Sequence, residues 1–313
     1  MTLYEKHADN PDMFLSLTSY TREEFDAMLP EFEQQFLERM RDYCLDGKPR
    51  GKRRYVSYHN SPLPTSADKL FFILTYVKAY PLQSVQGALF GIPQSKANQW
   101  IHTLTPVLEA TLASLECLPA RDFADLPLED MEATLYWHDG TERPIQRPSD
   151  AEAQRQHYSG KQKQHTIKND TVITAECQVI YLTATAEGKK HDKKLADESG
   201  YQFPPGSTLI QDTGFQGFKL AGVAILQPKK KPKGKELTDF EKHINHWVST
   251  LRIRVEHAIG GIKRCRIVKD QMRNWRAGFR DRIMGICCGL HNFRLRFRPW
   301  RYKPVQLNFL AYC

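Results

Sequence analysis

Apolar residues recur at three- and four-residue intervals early in the chain. Phe25, Met28, Leu29, Phe32, Phe36 and Met40 form one stripe behind the capping box Thr21-Arg-Glu-Glu24, which predicts an amphipathic helix. A compact helical group follows over Thr65 to Tyr80, Leu82 to Phe90 and Gln94 to Leu104, punctuated by Pro81 and Gly91-Ile-Pro93. Its short middle helix, glycine-containing turn and polar face of Gln94, Ser95, Lys96, Asn98 and Gln99 fit a helix-turn-helix whose last helix can enter a major groove. An ordinary three-helix bundle has the same spacing. From about residue 132 the pattern becomes β: Ala133 to Trp137 ends at His138-Asp139-Gly140, and Thr171 to Thr174 and Gln178 to Thr183 are rich in β-branched residues. Ser207 to Gln211 then runs into Asp212-Thr-Gly214, and Ala224 to Gln227 follows. A second capping box, Thr238-Asp-Phe-Glu241, opens a long helix with Phe240, Ile244, Trp247, Leu251, Val255, Ala258 and Ile262 on the face expected to pack on the sheet. The fold class predicted is α+β, with a helical head, a mostly β middle and a helical tail.

The 313 residues suffice for about two domains. No apolar run approaches the ~20 residues of a membrane span, and the start lacks a signal peptide's layout, so a soluble, cytoplasmic protein is expected. Seven cysteines without a C-x-x-C pair argue against a disulfide framework or a zinc cluster, and Cys287, Cys288 and His291 read as helical core. The net charge of +9 changes the picture more, because residues 1–46 carry eleven acids and four bases, leaving an excess of sixteen positive charges elsewhere. The positive charge is concentrated in Gly47 to Arg54, with five bases in eight residues, in Lys229 to Lys235, with five lysines in seven, and in Arg252 to Arg282, with ten bases and three acids. Such segments suit a polyanionic partner, although the first two could also be solvated loops and the third could carry charge for solubility.

Asp139 and Asp212 each follow a predicted strand and precede Gly or Thr-Gly, where a carboxylate can reach a ligand; taken singly, each reads first as a common turn former. Glu256 lies beside the apolar stripe of the long helix, with Arg252 about 40° and Lys263 about 20° away around the axis. Three carboxylates from two strand ends and a helix are what a two-metal phosphodiester site requires. Neither a G-x-x-x-x-G-K-[ST] loop nor a G-x-S-x-G elbow is present, which removes the commonest nucleotidase and hydrolase readings.

Several segments resemble the DDE transposases of the Harbinger-like superfamily, in its bacterial insertion-sequence branch. They are His138 to Pro148, Tyr158 to Lys161, Gln164 to Lys168, His191 to Lys193, Gln211 to Gly217, Pro228 to Gly234, Arg252-x-Arg-Val-Glu256 and Leu290 to Asn292. The resemblance implies a ribonuclease-H-like core with Asp139, Asp212 and Glu256 as catalytic, metal-binding residues for two Mg²⁺ ions, which Mn²⁺ can replace. It also implies DNA contacts by Arg252 and Lys263. Ser249 stands where related enzymes have a tyrosine, which leaves the triad intact.

Further DNA contacts are expected from Lys161 and Lys168, on or beside the second strand, from Lys229, Lys230 and Lys231, and from Gln94, Lys96 and Gln99. Lys161 and Lys168 could instead pave an exposed strand. Asp192 is expected to cap a helix. The expected domains are an acidic helix and basic linker over 1–60, a helix-turn-helix region over 61–125, a ribonuclease-H-like domain over 126–300 and a tail over 301–313. The expected partner is double-stranded DNA, both element ends and target, bound by a homodimer or higher assembly in a bacterial nucleoid. Rival readings are a transposase-derived DNA-binding protein without catalysis and a stand-alone nuclease.

Overall fold

The computed structural model describes residues 1–52, 54–58, 60–126, 134–276 and 278–302. Arg53 of the basic loop, Ala133 and the part of the expected tail from 303 onward lie outside the described residues. In chain order the helices are α1 (Leu3–His7), α2 (Pro11–Thr18), α3 (Arg22–Asp42), α4 (Ser66–Ala79), α5 (Gln83–Leu89), α6 (Gln94–Ser114), α7 (Ala151–His157), α8 (Asp192–Glu198), α9 (Asp239–Ile262), α10 (Arg266–Lys269) and α11 (Phe279–Phe297). The strands are β1 (Leu135–Pro144), β2 (Tyr158–Ser159), β3 (Gln164–Ile173), β4 (Val179–Leu182), β5 (Ala186–Glu187), β6 (Thr208–Ile210) and β7 (Ala224–Leu226). Among the described residues no helix is long and apolar enough to cross a membrane.

The chain divides into two compact units, one of residues 1–118 with 262–297, the other of 119–261 with 298–302. The first is helical. Thr21 caps α3 through the expected reciprocal pair with Glu24, and Phe25, Met28, Phe32, Phe36 and Met40 are buried. Helix α6 runs ten residues past the expected Leu104, because Val107, Leu108, Thr111 and Leu112 continue its buried stripe. The expected catalytic domain over 126–300 differs from this division, since 262–297 belongs to the helical unit. The cause is α11: Phe279, Ile283, Ile286, Leu290 and Phe293 are buried, Tyr20 donates to the Leu290 carbonyl at 2.7 Å, and Asn292 donates to that of Cys117 at 2.9 Å. Cys287, Cys288 and His291 are core residues, as expected.

The second unit is built on a mixed sheet of order β2-β3-β1-β6-β7, with β4 and β5 also pairing with β3. Strands β1 and β3 are antiparallel from Trp137 opposite Ile173 to Pro144 opposite Thr166, while β6 and β7 run parallel to β1. Phe123, Tyr136, Val172, Tyr181, Tyr201, Leu209 and Phe215 form its apolar core. Strand β1 continues seven residues past the expected end at Trp137. Its polar continuation escapes a hydropathy reading because hydrogen bonds satisfy it inside the protein: Arg143, fully buried, donates to Asn169 Oδ1 at 2.6 Å and to Thr185 Oγ1 at 3.1 Å. Thr238 and Glu241 form the expected capping box of α9. Its buried face is Val248, Leu251, Val255, Ala258 and Ile262, whereas Phe240, expected in the stripe, is 59% exposed.

Candidate active site

Strand β6 pairs only with Leu135–Trp137 of β1, so from His138 onward that edge of β1 is open beside the chain leaving β6. Asp139 therefore lies within β1 and not at its end, but at the level where the neighbouring strand stops. Asp212 leaves β6 and caps a 3₁₀ turn over Thr213–Phe215. The Gly140 amide donates to Asp139 Oδ1 at 2.9 Å, and the Gly214 amide to Asp212 Oδ1 at 2.6 Å. One oxygen of each carboxylate is thereby fixed, and the other, Oδ2, lies 3.8 Å (Asp139) or 4.0 Å (Asp212) from Nη2 of Arg252.

Arg252 is placed by its neighbours on α9. The Trp137 indole donates to the Leu251 carbonyl at 2.8 Å. Arg254, 8% exposed, stacks over Trp137 at 5.0 Å and Tyr302 at 4.6 Å and donates to the Ala175 carbonyl at 3.0 Å, so its charge fastens the helix. Arg252 Nε is buried without a hydrogen-bond partner. Burial pushes the Asp139 carboxyl up to about 6, with repulsion from Asp212 adding and Arg252 and His138 opposing. Two oxygen donors directed at one guanidinium, with more negative charge than it neutralises, form a donor set that fits a hard divalent cation. Glu256 stands exposed one turn beyond Arg252. Among the described residues no three His, Cys, Asp or Glu side chains gather closely enough to hold a metal, so the structure unites two of the three expected acids.

Alternation along β1 and β3 places a second polar group on the sheet's other face, through His138, Gly140 and Glu142 opposite Val172, Asp170 and Lys168. His138 is fully buried within reach of Tyr201 Oη at 3.1 Å, Gln211 Oε1 at 3.4 Å and Asp170 Oδ2 at 3.6 Å, with the Phe215 ring 4.0 Å away. Burial raises the Asp170 carboxyl. Lys168 corrects the expectation of a phosphate-contacting or exposed lysine: it is 4% exposed, and its ammonium donates to Asp192 Oδ1 at 2.7 Å and lies 3.7 Å from Glu142. Asp192 is likewise not a cap, because His191 occupies the N-cap of α8 and no side-chain cap bond forms. The chain's residue order carried one signal for this group, the period-two spacing of Lys168 and Asp170.

The remaining expected DNA contacts are on the surface. Lys161 is exposed in the turn between β2 and β3. Lys229, Lys230 and Lys231 are exposed, but Lys229 pairs with Glu241 and Lys231 with Glu236. Gln94 and Lys96 are exposed and Gln99 half-buried at the start of α6; Gln94 donates to Gln83 at 3.1 Å and Lys96 to Gln99 at 3.0 Å. Lys263 lies in the turn just after α9.

Residues 138–292, which include both aspartates and Glu256, match the family model of the DDE superfamily endonuclease, and residues 61–114, spanning α4 to α6, match that of the helix-turn-helix of DDE superfamily endonuclease. The chain is 29% identical over 234 residues, 74% of its length and 81% of the relative's, to a protein of Microchaete diplosiphon assigned as the transposase for insertion sequence element IS702. It is 26% identical over 230 residues, 73% of its length and 80% of the relative's, to a protein of Streptomyces albus G assigned as the transposase for insertion sequence element IS112. No solved structure matches the chain.

Proposed function

The chain belongs to the DDE superfamily endonucleases and acts as an insertion-sequence transposase, dependent on a divalent metal and binding DNA through its helix-turn-helix, and from this we propose how its residues divide the work. Asp139 and Asp212, completed by Glu256, hold two Mg²⁺ ions, which Mn²⁺ can replace. Such ions supply Lewis acidity for cutting and rejoining phosphodiester bonds. The observation that supports this reading is the convergence of the two aspartates on Arg252, each with its outer oxygen aimed there by a backbone amide bond to the inner one.

Gln94, Lys96 and Gln99 contact the terminal repeats of the element, while Lys161 and the Lys229–Lys231 loop follow backbone phosphates. Arg252 and Lys263 contact the DNA near the cut. Strand cleavage at the ends frees 3′-hydroxyls that attack target DNA, and joining two ends calls for a homodimer or larger assembly. The strand order, an antiparallel β1–β3 pair with β6 and β7 added in parallel, supports a ribonuclease-H-like core.

The test uses purified protein, labelled DNA carrying the element ends, and Mg²⁺. Asp139→Asn, Asp212→Asn and Glu256→Gln are expected to abolish cleavage while end binding stays within about threefold of wild type, because metal ligation is lost and the basic surface remains. Full cleavage by any of the three contradicts the assignment of that residue.

A further inference from the structure

A carboxylate outside the expected triad abuts both aspartate turns. Asp192 Oδ2 and Asp212 Oδ1 stand 3.0 and 2.8 Å from a single point, the position a Cβ on Gly214 would take. Asp192 Oδ1 and Asp170 Oδ1 stand 3.5 and 3.0 Å from the corresponding point at Gly140. The two glycines that follow the catalytic aspartates therefore leave room for acids arriving from the other side of β1.

Independent support comes from Asp170, fully buried, whose Oδ2 faces the His138 ring at 3.6 Å while Oδ1, without a hydrogen-bond partner, lies 3.0 Å from the point at Gly140 that Asp192 also approaches. Asp192 is also anchored from below. The buried Lys168 ammonium holds its Oδ1 at 2.7 Å and is itself placed by Glu142 across the β1–β3 pair, which leaves Oδ2 directed at the Asp212 turn. A carboxylate fixed this way is placed to restrain the turn that aims Asp212, and because Lys168 is shared with Glu142 the three groups keep one net negative charge behind the two aspartates, which favours a divalent cation.

We propose that Asp192, held by Lys168, is a positioning residue of the catalytic centre that fixes the Asp212–Gly214 turn and tightens divalent-cation binding. The inference rests on the reading of Asp139 and Asp212 as metal ligands. Calorimetric titration of Mn²⁺ into the full chain without DNA tests it, with wild type, Asp192→Asn, Lys168→Gln and Gly214→Ala compared and thermal midpoints measured in chelator. Asp192→Asn retains shape and an acceptor for Lys168 but loses the charge, and its Mn²⁺ affinity is expected to fall about 10- to 100-fold, the range found for groups that orient metal ligands.

Gly214→Ala displaces Asp212 Oδ1 as well as Asp192 Oδ2 and so serves as the control for the turn itself, while Lys168→Gln, which releases Asp192 without touching Asp212, keeps the test decisive if Asp192→Asn does not fold. Each is expected to weaken Mn²⁺ binding at least tenfold. A purely structural Asp192 would lower the midpoint in chelator and leave Mn²⁺ affinity unmoved. Affinities of the folded variants within twofold of a wild type that binds Mn²⁺ overturn this proposal alone. Failure of wild type itself to bind Mn²⁺ overturns the reading of the two aspartates and this proposal with it.

Discussion

Asp139 occupies its position at a cost in stability when no cation is bound. Its carboxyl is pushed up to about 6 in the folded chain, above the ordinary 3.8 of the unfolded one. Between those values the folded state holds a proton that the unfolded state has released, so this group's contribution to stability declines as pH rises from about 4 to about 6. In chelator at pH 8, Asp139→Asn is therefore expected to stabilise the chain by about 1–3 kcal/mol, a difference that vanishes below pH 4 and is read from urea unfolding. With Asp139 as the proposed metal ligand, the same shift is expected to make Mn²⁺ affinity drop roughly tenfold for each pH unit below 6, the proton and the cation competing for one carboxylate. An affinity flat between pH 5 and 7 contradicts it.

That Asp139 and Asp212 stand beside one another, both within 4.0 Å of Arg252, was foreshadowed by two strand-ending carboxylates followed by Gly and by Thr-Gly, although each alone reads as a turn former. Lys168 was misread for a physical reason. A lysine on a strand is normally solvated, and only the register that sets Glu142 opposite it, together with Asp192 from a distant helix, makes its burial tolerable.

At the scale of elements, the capping boxes at Thr21 and Thr238 marked helix starts to the residue, because such pairs satisfy local donors and need no tertiary partner. Strand ends were less legible. The polar half of β1 is set by pairing with β3, a partner 20 or more residues away that hydropathy does not record. The helix-turn-helix offers a prediction of its own. A Cβ on Gly87 would lie 2.5 Å from the Ile92 carbonyl oxygen, so Gly87→Ala forces α5 away from the turn into α6. It is expected to cost about 1–3 kcal/mol and to weaken binding to the terminal repeats at least tenfold, with Mn²⁺ affinity of the chain unchanged. Repeat binding equal to wild type in a gel-shift titration contradicts the assignment of α6 as the reading helix.

For the whole molecule, the +9 charge and its displacement from the acidic first 46 residues suit DNA as partner but do not tell which lysines touch it. The pairing of Lys229 with Glu241 and Lys231 with Glu236 leaves Lys230 as the one lysine of that trio with no partner among the described residues. Replacing Lys230 by alanine is expected to reduce the slope of log affinity against log salt by about 1, whereas Lys229→Ala and Lys231→Ala change it less. The division into two units was only partly legible, since α11 follows the catalytic segment in sequence yet completes the helical core.

The proposed function requires Asp139 and Asp212 to form one metal-dependent centre that both cuts and joins DNA. It is tested most directly by incubating wild type and Asp139→Asn with Mg²⁺, labelled element ends and a target plasmid, and mapping products at nucleotide resolution. The expected result is cutting at the ends and their covalent insertion into target by wild type, with neither product from Asp139→Asn. End binding by wild type with no cutting in Mg²⁺ or Mn²⁺, or cutting with no joined product, contradicts it.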